Sequence, residues 1–146
     1  MQSNTHNAAL MDQNFMILAI NLAAQALQVG EVPVGALVVC DGQVIGQGYN
    51  QTISMHDPCG HAEIMALRQV AQAIGNHRLS GCDLYVTLEP CIMCVGAIIH
   101  FRIQRLGLSS FICLTTYLRV LFLFDNVLLT LSKHKSYQRL YSVNIT

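Results

Sequence analysis

Two short motifs constrain this chain more than anything else in it: His61-Ala62-Glu63 and Pro90-Cys91-Ile92-Met93-Cys94. Each opens a segment with helical spacing, and a short apolar run at 84–87 lies between them. Cys91 and Cys94 are three residues apart, so in a first helical turn both thiols point the same way. A helix N-terminus favours the thiolate, the form that binds metal. One His and two Cys supply three ligands to Zn²⁺ and leave a fourth tetrahedral position for water, as in catalytic rather than structural zinc sites. Glu63 stands two residues from His61, close enough for its carboxylate to reach a water in that position and move its proton to a leaving group.

Either motif alone is ambiguous. A lone C-x-x-C is more often a redox pair or half of a structural zinc site, and a lone H-x-E is usually ordinary helix-surface chemistry. A redox pair has no need of the H-x-E. A structural site wants a fourth Cys or His, for which Cys59, Cys82 and His56 are candidates. The joint occurrence favours catalysis, and H-x-E followed by P-C-x-x-C is a known signature of zinc-dependent nucleobase deaminases.

The surrounding pattern supplies the elements. Asp12 is positioned to cap a helix whose apolar residues Phe15, Leu18, Leu22, Ala26 and Val29 recur near helical spacing, with Gly30 as its stop. Residues 34–40 and 44–49 read as strands, and Asp41-Gly42 between them is a hairpin signal. A second helix is expected from His61 to about Ile74, with Ile64, Leu67, Val70 and Ala71 facing inward and Gly75 closing it. A buried strand at 84–87, a helix over 91–100 opened by Pro90, and a strand at 103–108 follow. This order predicts a three-layer α/β/α domain with helices on both faces of a mixed sheet.

Composition divides the chain near residue 105. Residues 1–105 hold all twelve Ala, seven of the eight acids and all three Pro. Residues 106–146 have no Ala, Glu or Pro but ten of the nineteen Leu, and four cations against one acid make them +3. Residues 1–105 are therefore read as the zinc-dependent core. Residues 106–146 are read as an atypical tail of the same domain, with a last strand and a weak helix within 117–131. A net charge of zero excludes a strongly basic nucleic-acid coat but not a local patch formed by Arg68, Arg78, Arg102 and Arg105. No uncharged apolar run of 18 residues exists, so no membrane span is expected; 106–131 is interrupted by Arg119 and Asp125. The opening MQSNTHNAAL does not read as a secretory signal, so the six Cys predict a reducing, cytoplasmic setting.

The chain also resembles the bacterial tRNA-specific adenosine deaminases of the cytidine deaminase-like superfamily. The resemblance runs over about residues 12–105 and rests on EVPVGA from Glu31, then Asn50, then Asp57-Pro58, then HAEIMALRQ from His61, and YVTLEPCIMCVGAIIH from Tyr85. It implies a cytidine deaminase-like fold, one Zn²⁺ per subunit on His61, Cys91 and Cys94, and Glu63 as proton shuttle. It further implies that Asn50 hydrogen-bonds a flipped nucleotide while Val34 helps line the base pocket. The implied partners are a second copy of the chain and a tRNA anticodon loop, and the implied reaction is hydrolytic deamination of adenosine to inosine at the wobble position. Deamination of a free base or nucleotide, such as guanine or deoxycytidylate, is the alternative enzyme reading; an inactive zinc-stabilised binding module is the alternative from another class. From residues alone, Asn50 reads equally well as a strand-ending turn, and Glu89 as support for the ligand loop.

Two departures from the family pattern stand out. Cys59-Gly60 replaces the usual Thr-Ala before His61, which frees the backbone beside a ligand and sets a third thiol nearby. The tail matches nothing in the family, and a reading-frame change near residue 106 and a genuinely diverged tail are both open readings. Either one predicts weaker stability and weaker tRNA binding than an intact family member has.

Overall fold

The computed structural model describes residues 2–109 and 142–144 of the chain. The helix expected within 117–131 lies outside the described residues. The described elements run α1 (Gln2–Gln28), β1 (Gly35–Cys40), β2 (Gln43–Tyr49), α2 (Ala62–Ile74), β3 (Cys82–Val86), α3 (Ile92–His100), β4 (Arg105–Leu108) and β5 (Ser142–Asn144). Strand order is β2-β1-β3-β4-β5. β3 and β4 pair in parallel across the α3 crossover, while the β1–β2, β1–β3 and β4–β5 pairs are antiparallel. The sheet is therefore mixed.

Helices cover both faces. On one face, Met16, Ala19 and Leu22 of α1 pack on Leu37, Val39 and Tyr85. On the other, Ala62, Ala66, Leu67 and Val70 of α2 and Ile98 of α3 pack on Val38, Leu84, Val86 and Leu106. The alternation along β1 explains the division, since successive strand residues point to opposite faces. This is the expected three-layer α/β/α arrangement.

Two glycines set how close the helices come. A Cβ on Gly35 would lie 2.1 Å from the Ala19 carbonyl oxygen of α1, and one on Gly48 would lie 2.6 Å from Ala62 O and Ala66 N of α2. Only a residue without a side chain allows these approaches. The second contact fixes the first turn of α2 against the end of β2.

The turns follow their chemistry. Asp41 and Gly42 take φ of 49° and 73°, the two positive values that a type I′ hairpin requires. Gly75 ends α2 in the left-handed conformation, and its N–H returns to Ala71 O and Gln72 O.

The first helix differs from its sequence reading. It starts at Gln2, so Asp12 sits within it rather than capping it. No Gly or Pro interrupts residues 2–11, and Asp12 instead holds a partner far along the chain. Leu18 and Val29 are exposed, and Met16, Ala19 and Ala23 are buried in their stead.

Asp12, Asp83, Tyr85 and Arg105 form a clasp on the α1 face. The Arg105 guanidinium donates to Asp12 through Nη1 (2.8 Å) and Nη2 (2.9 Å), and to Asp83 through Nε (2.9 Å) and Nη2 (2.7 Å). The Tyr85 hydroxyl donates to Asp12, and the Tyr85 ring lies 5.3 Å below the guanidinium. Burial alone would raise the Asp12 carboxyl, but Arg105 and Tyr85 outweigh it and hold that group below the usual carboxylate range.

Candidate active site

The topology gathers the predicted site at one end of the sheet. Gly35 opens β1 opposite Tyr49 at the end of β2, and Ala36 pairs with Val86 at the end of β3. Val34, Asn50 and Thr87 therefore lie at the same edge. Backbone hydrogen bonds stitch them together: Asn50 N–H to Val34 O (3.1 Å), Thr87 N–H to Gly35 O (3.1 Å), and Gln51 N–H to Gly60 O (2.8 Å). The last bond brings the chain to His61.

His61 and Cys91 are each the N-cap of their helix, with extended backbones at φ −72°, ψ 150° and φ −69°, ψ 169°. Both were expected just inside the helices. Neither side chain caps its own helix; the backbone carbonyls instead accept the first helical bonds, from Met65 N–H and Val95 N–H, each at 2.9 Å. A side chain at an N-cap naturally faces the third helical residue. That is Cys94, so the C-x-x-C spacing becomes a pair of thiols held on one side of the first turn of α3.

The three donor atoms form a nearly equilateral triangle. His61 Nδ1 lies 3.6 Å from Cys91 Sγ and 3.5 Å from Cys94 Sγ, and the two sulfurs are 3.7 Å apart. With Zn–S of about 2.3 Å and Zn–N of about 2.05 Å, tetrahedral geometry requires about 3.6 Å between N and S and about 3.8 Å between sulfurs. The observed edges fit. Among the described residues, the converging donors are His61, Cys91 and Cys94; Cys59, Cys82 and His56 are not part of the group. The Cys59 N–H instead bonds Asp57 Oδ1 at 2.8 Å.

The electrostatics also suit a cation. Burial, followed by Glu63 and Cys91, pushes the Cys94 thiol well above its ordinary range. A divalent ion reverses that field and favours the thiolates. Glu63 is 4% exposed on the first turn of α2. Burial raises its carboxyl, opposed by its own N–H, the Cys94 thiol and His61. A carboxyl shifted toward neutrality is suited to both accepting and returning a proton.

Asn50 is 6% exposed, and Val34 is 7% exposed within the α2-side core. Glu89, beside the ligand loop, has its Oε2 buried with no hydrogen-bond partner among the described residues. A cleft of about 330 Å³ between α1, β2 and α2 is lined by Gln25, Gln47, Gln51 and Gln69, and contains none of the predicted site residues.

Glu31 went unassigned from sequence. It is 3% exposed, just beyond the end of α1, and its carboxylate accepts five donors. These are Asn50 Nδ2 (3.3 Å), Thr52 Oγ1 (3.3 Å), Ile53 N (2.9 Å), Ser54 N (2.7 Å) and Ser54 Oγ (2.9 Å). Burial alone would raise this carboxyl, but the Ser54, Ile53 and Thr52 donors together hold it below the ordinary range. The only local signal is an acid between a helix-ending glycine and an apolar run, while its partners lie 19 to 23 residues away.

Comparison with known proteins agrees with this geometry. The sequence profile of the cytidine and deoxycytidylate deaminase zinc-binding region matches residues 10–110. The tRNA-specific adenosine deaminase of Buchnera aphidicola (subsp. Baizongia pistaciae) is 52% identical over 109 residues, covering 70% of this chain and 67% of the relative. That of Haemophilus influenzae is 53% identical over 96 residues, covering 65% of this chain and 56% of the relative. The match thus spans two thirds or less of the relatives' own length. A solved structure from work on A-to-I editing by tRNA:A34 deaminases superposes with a TM-score of 0.65 at 48% identity, covering 66% of this chain and 74% of the other. The guanine deaminase of Bacillus subtilis superposes with a TM-score of 0.65 at 35% identity, covering 67% and 63%. The chain belongs to the family of cytidine and deoxycytidylate deaminases, and within it is similar to the tRNA-specific adenosine deaminases.

Proposed function

We propose that this chain is a zinc-dependent hydrolase that deaminates adenosine to inosine at the wobble position of a tRNA anticodon. The observation that carries the reading is the His61–Cys91–Cys94 triangle with edges of 3.5–3.7 Å, with Glu63 buried two residues from His61. The two relatives at 52% and 53% identity, both tRNA-specific adenosine deaminases, support the substrate.

His61, Cys91 and Cys94 would hold one Zn²⁺ per subunit. Zinc, when bound, supplies Lewis acidity that makes a water nucleophilic near neutral pH. Glu63 takes a proton from the attacking water and passes it to ring N1 of adenine; it then takes the remaining proton of the new C6 hydroxyl and gives it to the amino group, so that ammonia leaves and C6 becomes the carbonyl of inosine. Its burial keeps bulk water from competing for that proton. Asn50 binds the inserted nucleotide, and Val34 lines the base pocket. An anticodon loop suits such a pocket because its bases are already unpaired, so little energy is spent in turning one out.

Residues 1–105 act as the deaminase core and residues 106–146 as an atypical tail of the same domain, in a homodimer in the cytoplasm. No helix among the described residues is long and apolar enough to cross a membrane.

The test is ammonia release from an arginine-tRNA anticodon stem-loop, from free adenosine, guanine and deoxycytidylate, with zinc content measured in parallel. Release from the stem-loop with about one zinc per chain is expected, and Cys91→Ser is expected to lose the zinc. Preference for guanine would transfer the reading to the free-base deaminases. Zinc without turnover of any substrate would leave the binding-module reading.

A further inference from the structure

The Glu31 carboxylate determines more than the shape of the loop that it holds. An ionised carboxylate only accepts hydrogen bonds, so the atom of Asn50 facing it at 3.3 Å must be the amide nitrogen. The same nitrogen also donates toward Thr52 Oγ1 at 3.1 Å. Thr52 Oγ1 in turn donates to Glu31 Oε2 at 3.3 Å, which closes a three-membered ring of hydrogen bonds. The Asn50 amide nitrogen is thus held inside the protein by two acceptors, and Oδ1 has no hydrogen-bond partner among the described residues. The backbone of the same loop is fixed independently. Ile53 and Ser54 donate their N–H groups to Glu31, and Gln51 N–H bonds Gly60 O beside His61.

Resting on the reading of Asn50 as a substrate residue, we propose that Glu31 is a positioning residue that locks the Asn50 amide with its oxygen free. Asn50 then offers the substrate an acceptor, and the substrate group that it selects is a donor. Within an RNA chain the 3′ and 5′ oxygens are esterified, so that donor is either the ribose 2′-hydroxyl or an N–H of the base.

Glu31→Gln is the informative variant. Its single oxygen is expected to stay with the Ile53 and Ser54 N–H groups, which turns its NH₂ toward Asn50. The Asn50 amide must then flip, presenting a donor where it had presented an acceptor. The loop and the metal ligands stay in place.

The experiment uses the full chain and a stem-loop carrying the target adenosine. Glu31→Gln is expected to raise KM about five- to tenfold, the loss of one neutral hydrogen bond, with zinc content unchanged. Asn50→Ala is expected to show a similar loss, and the double variant Glu31→Gln/Asn50→Ala to be no worse than Asn50→Ala alone. Additive losses would show a merely structural role and overturn the proposal. A stem-loop with 2′-deoxyadenosine at the target separates the two donors. A penalty present in the wild type and absent in Asn50→Ala assigns the donor to the sugar, whereas no penalty assigns it to the base.

A readout without turnover keeps the two readings apart. In ¹⁵N–¹H spectra the Asn50 side-chain amide hydrogens should exchange slowly in the wild type and quickly in Glu31→Gln. Unchanged exchange overturns the proposal even in an active enzyme. Inactivity of the wild type on every substrate would reject the functional reading while leaving this measurement valid.

Discussion

The two faces of the sheet treat charge in opposite ways. On the α1 face, Arg105 meets Asp12 and Asp83 at 2.7–2.9 Å, so each charge has an opposite partner within the protein. On the α2–α3 face, Glu63 and two cysteines crowd together, with His61 as the neighbouring group of opposite tendency. The first arrangement is complete without help and stabilises the fold. The second gathers donors suited to a cation, and burial there disfavours the Glu63 carboxylate as an anion. The difference separates scaffold from chemistry by electrostatics alone.

Crossed substitutions test that separation. Glu63→Gln should have the largest effect, lowering kcat by about 10²- to 10⁴-fold, because it removes the group proposed to transfer the proton. Its melting temperature should stay level or rise, since a buried carboxyl disfavoured as an anion is lost. A kcat measured beside a thermal scan decides; a lower melting temperature would show that Glu63 is part of the scaffold.

Arg105→Ala should do the reverse. It leaves Asp12 and Asp83 half-buried without a counter-charge, and is expected to cost about 2–3 kcal/mol, below the figure for fully buried pairs because these side chains remain 18–24% exposed. kcat per folded molecule should not change. The pH dependence carries the same signature. Asp12 is held below its ordinary value, so its contribution is fully present above about pH 4, the unfolded carboxylate range, and is lost as pH falls through the lower folded value. Denaturant titrations from pH 6 to pH 2 should show a steeper acid-side loss in the wild type than in Arg105→Ala.

The smallest effect is expected at the departure before His61. A Cβ on Gly60 would meet Asp57 O at 3.1 Å and Gln51 O at 3.2 Å, tight contacts that a small backbone shift can relieve. The lower chain entropy of Ala offsets part of that strain, so Gly60→Ala should change stability by less than about 1 kcal/mol. Cys59→Ser should leave zinc content unaltered. A large loss of zinc in either variant would mean that this stretch supports the ligand triangle directly.

The parts legible in the sequence are those set by neighbours. The Asp41-Gly42 turn, the helix ending at Gly75 and the C-x-x-C pair each depend on residues within a few positions. The sequence also marks Glu63, because its partner His61 is two residues away. Asp12 was misread because an acid before an apolar run looks like a cap, while its true partner is 93 residues further on. Glu31 was missed for the same reason: its role is distributed over Asn50, Thr52, Ile53 and Ser54, none of which signals it locally. Leu18 and Val29 fit the helical period, but the α1 groove on the sheet takes Met16 and Ala19 instead, close beside Gly35. Local rules thus found the elements and the three converging donors; the groups that hold loops and layers in register are long-range.

The clasp on the α1 face also orders events in time. It joins the first helix to the fourth strand, so it closes only after residue 105 has left the ribosome and β4 has paired with β3. Until then α1 is held by its apolar contacts with β1 and β3 and by the Tyr85 hydroxyl bond to Asp12. A nascent chain stopped short of Arg105 therefore lacks the tie between its first helix and its fourth strand, and the later pairing of β5 with β4 builds on a clasp that can already be closed.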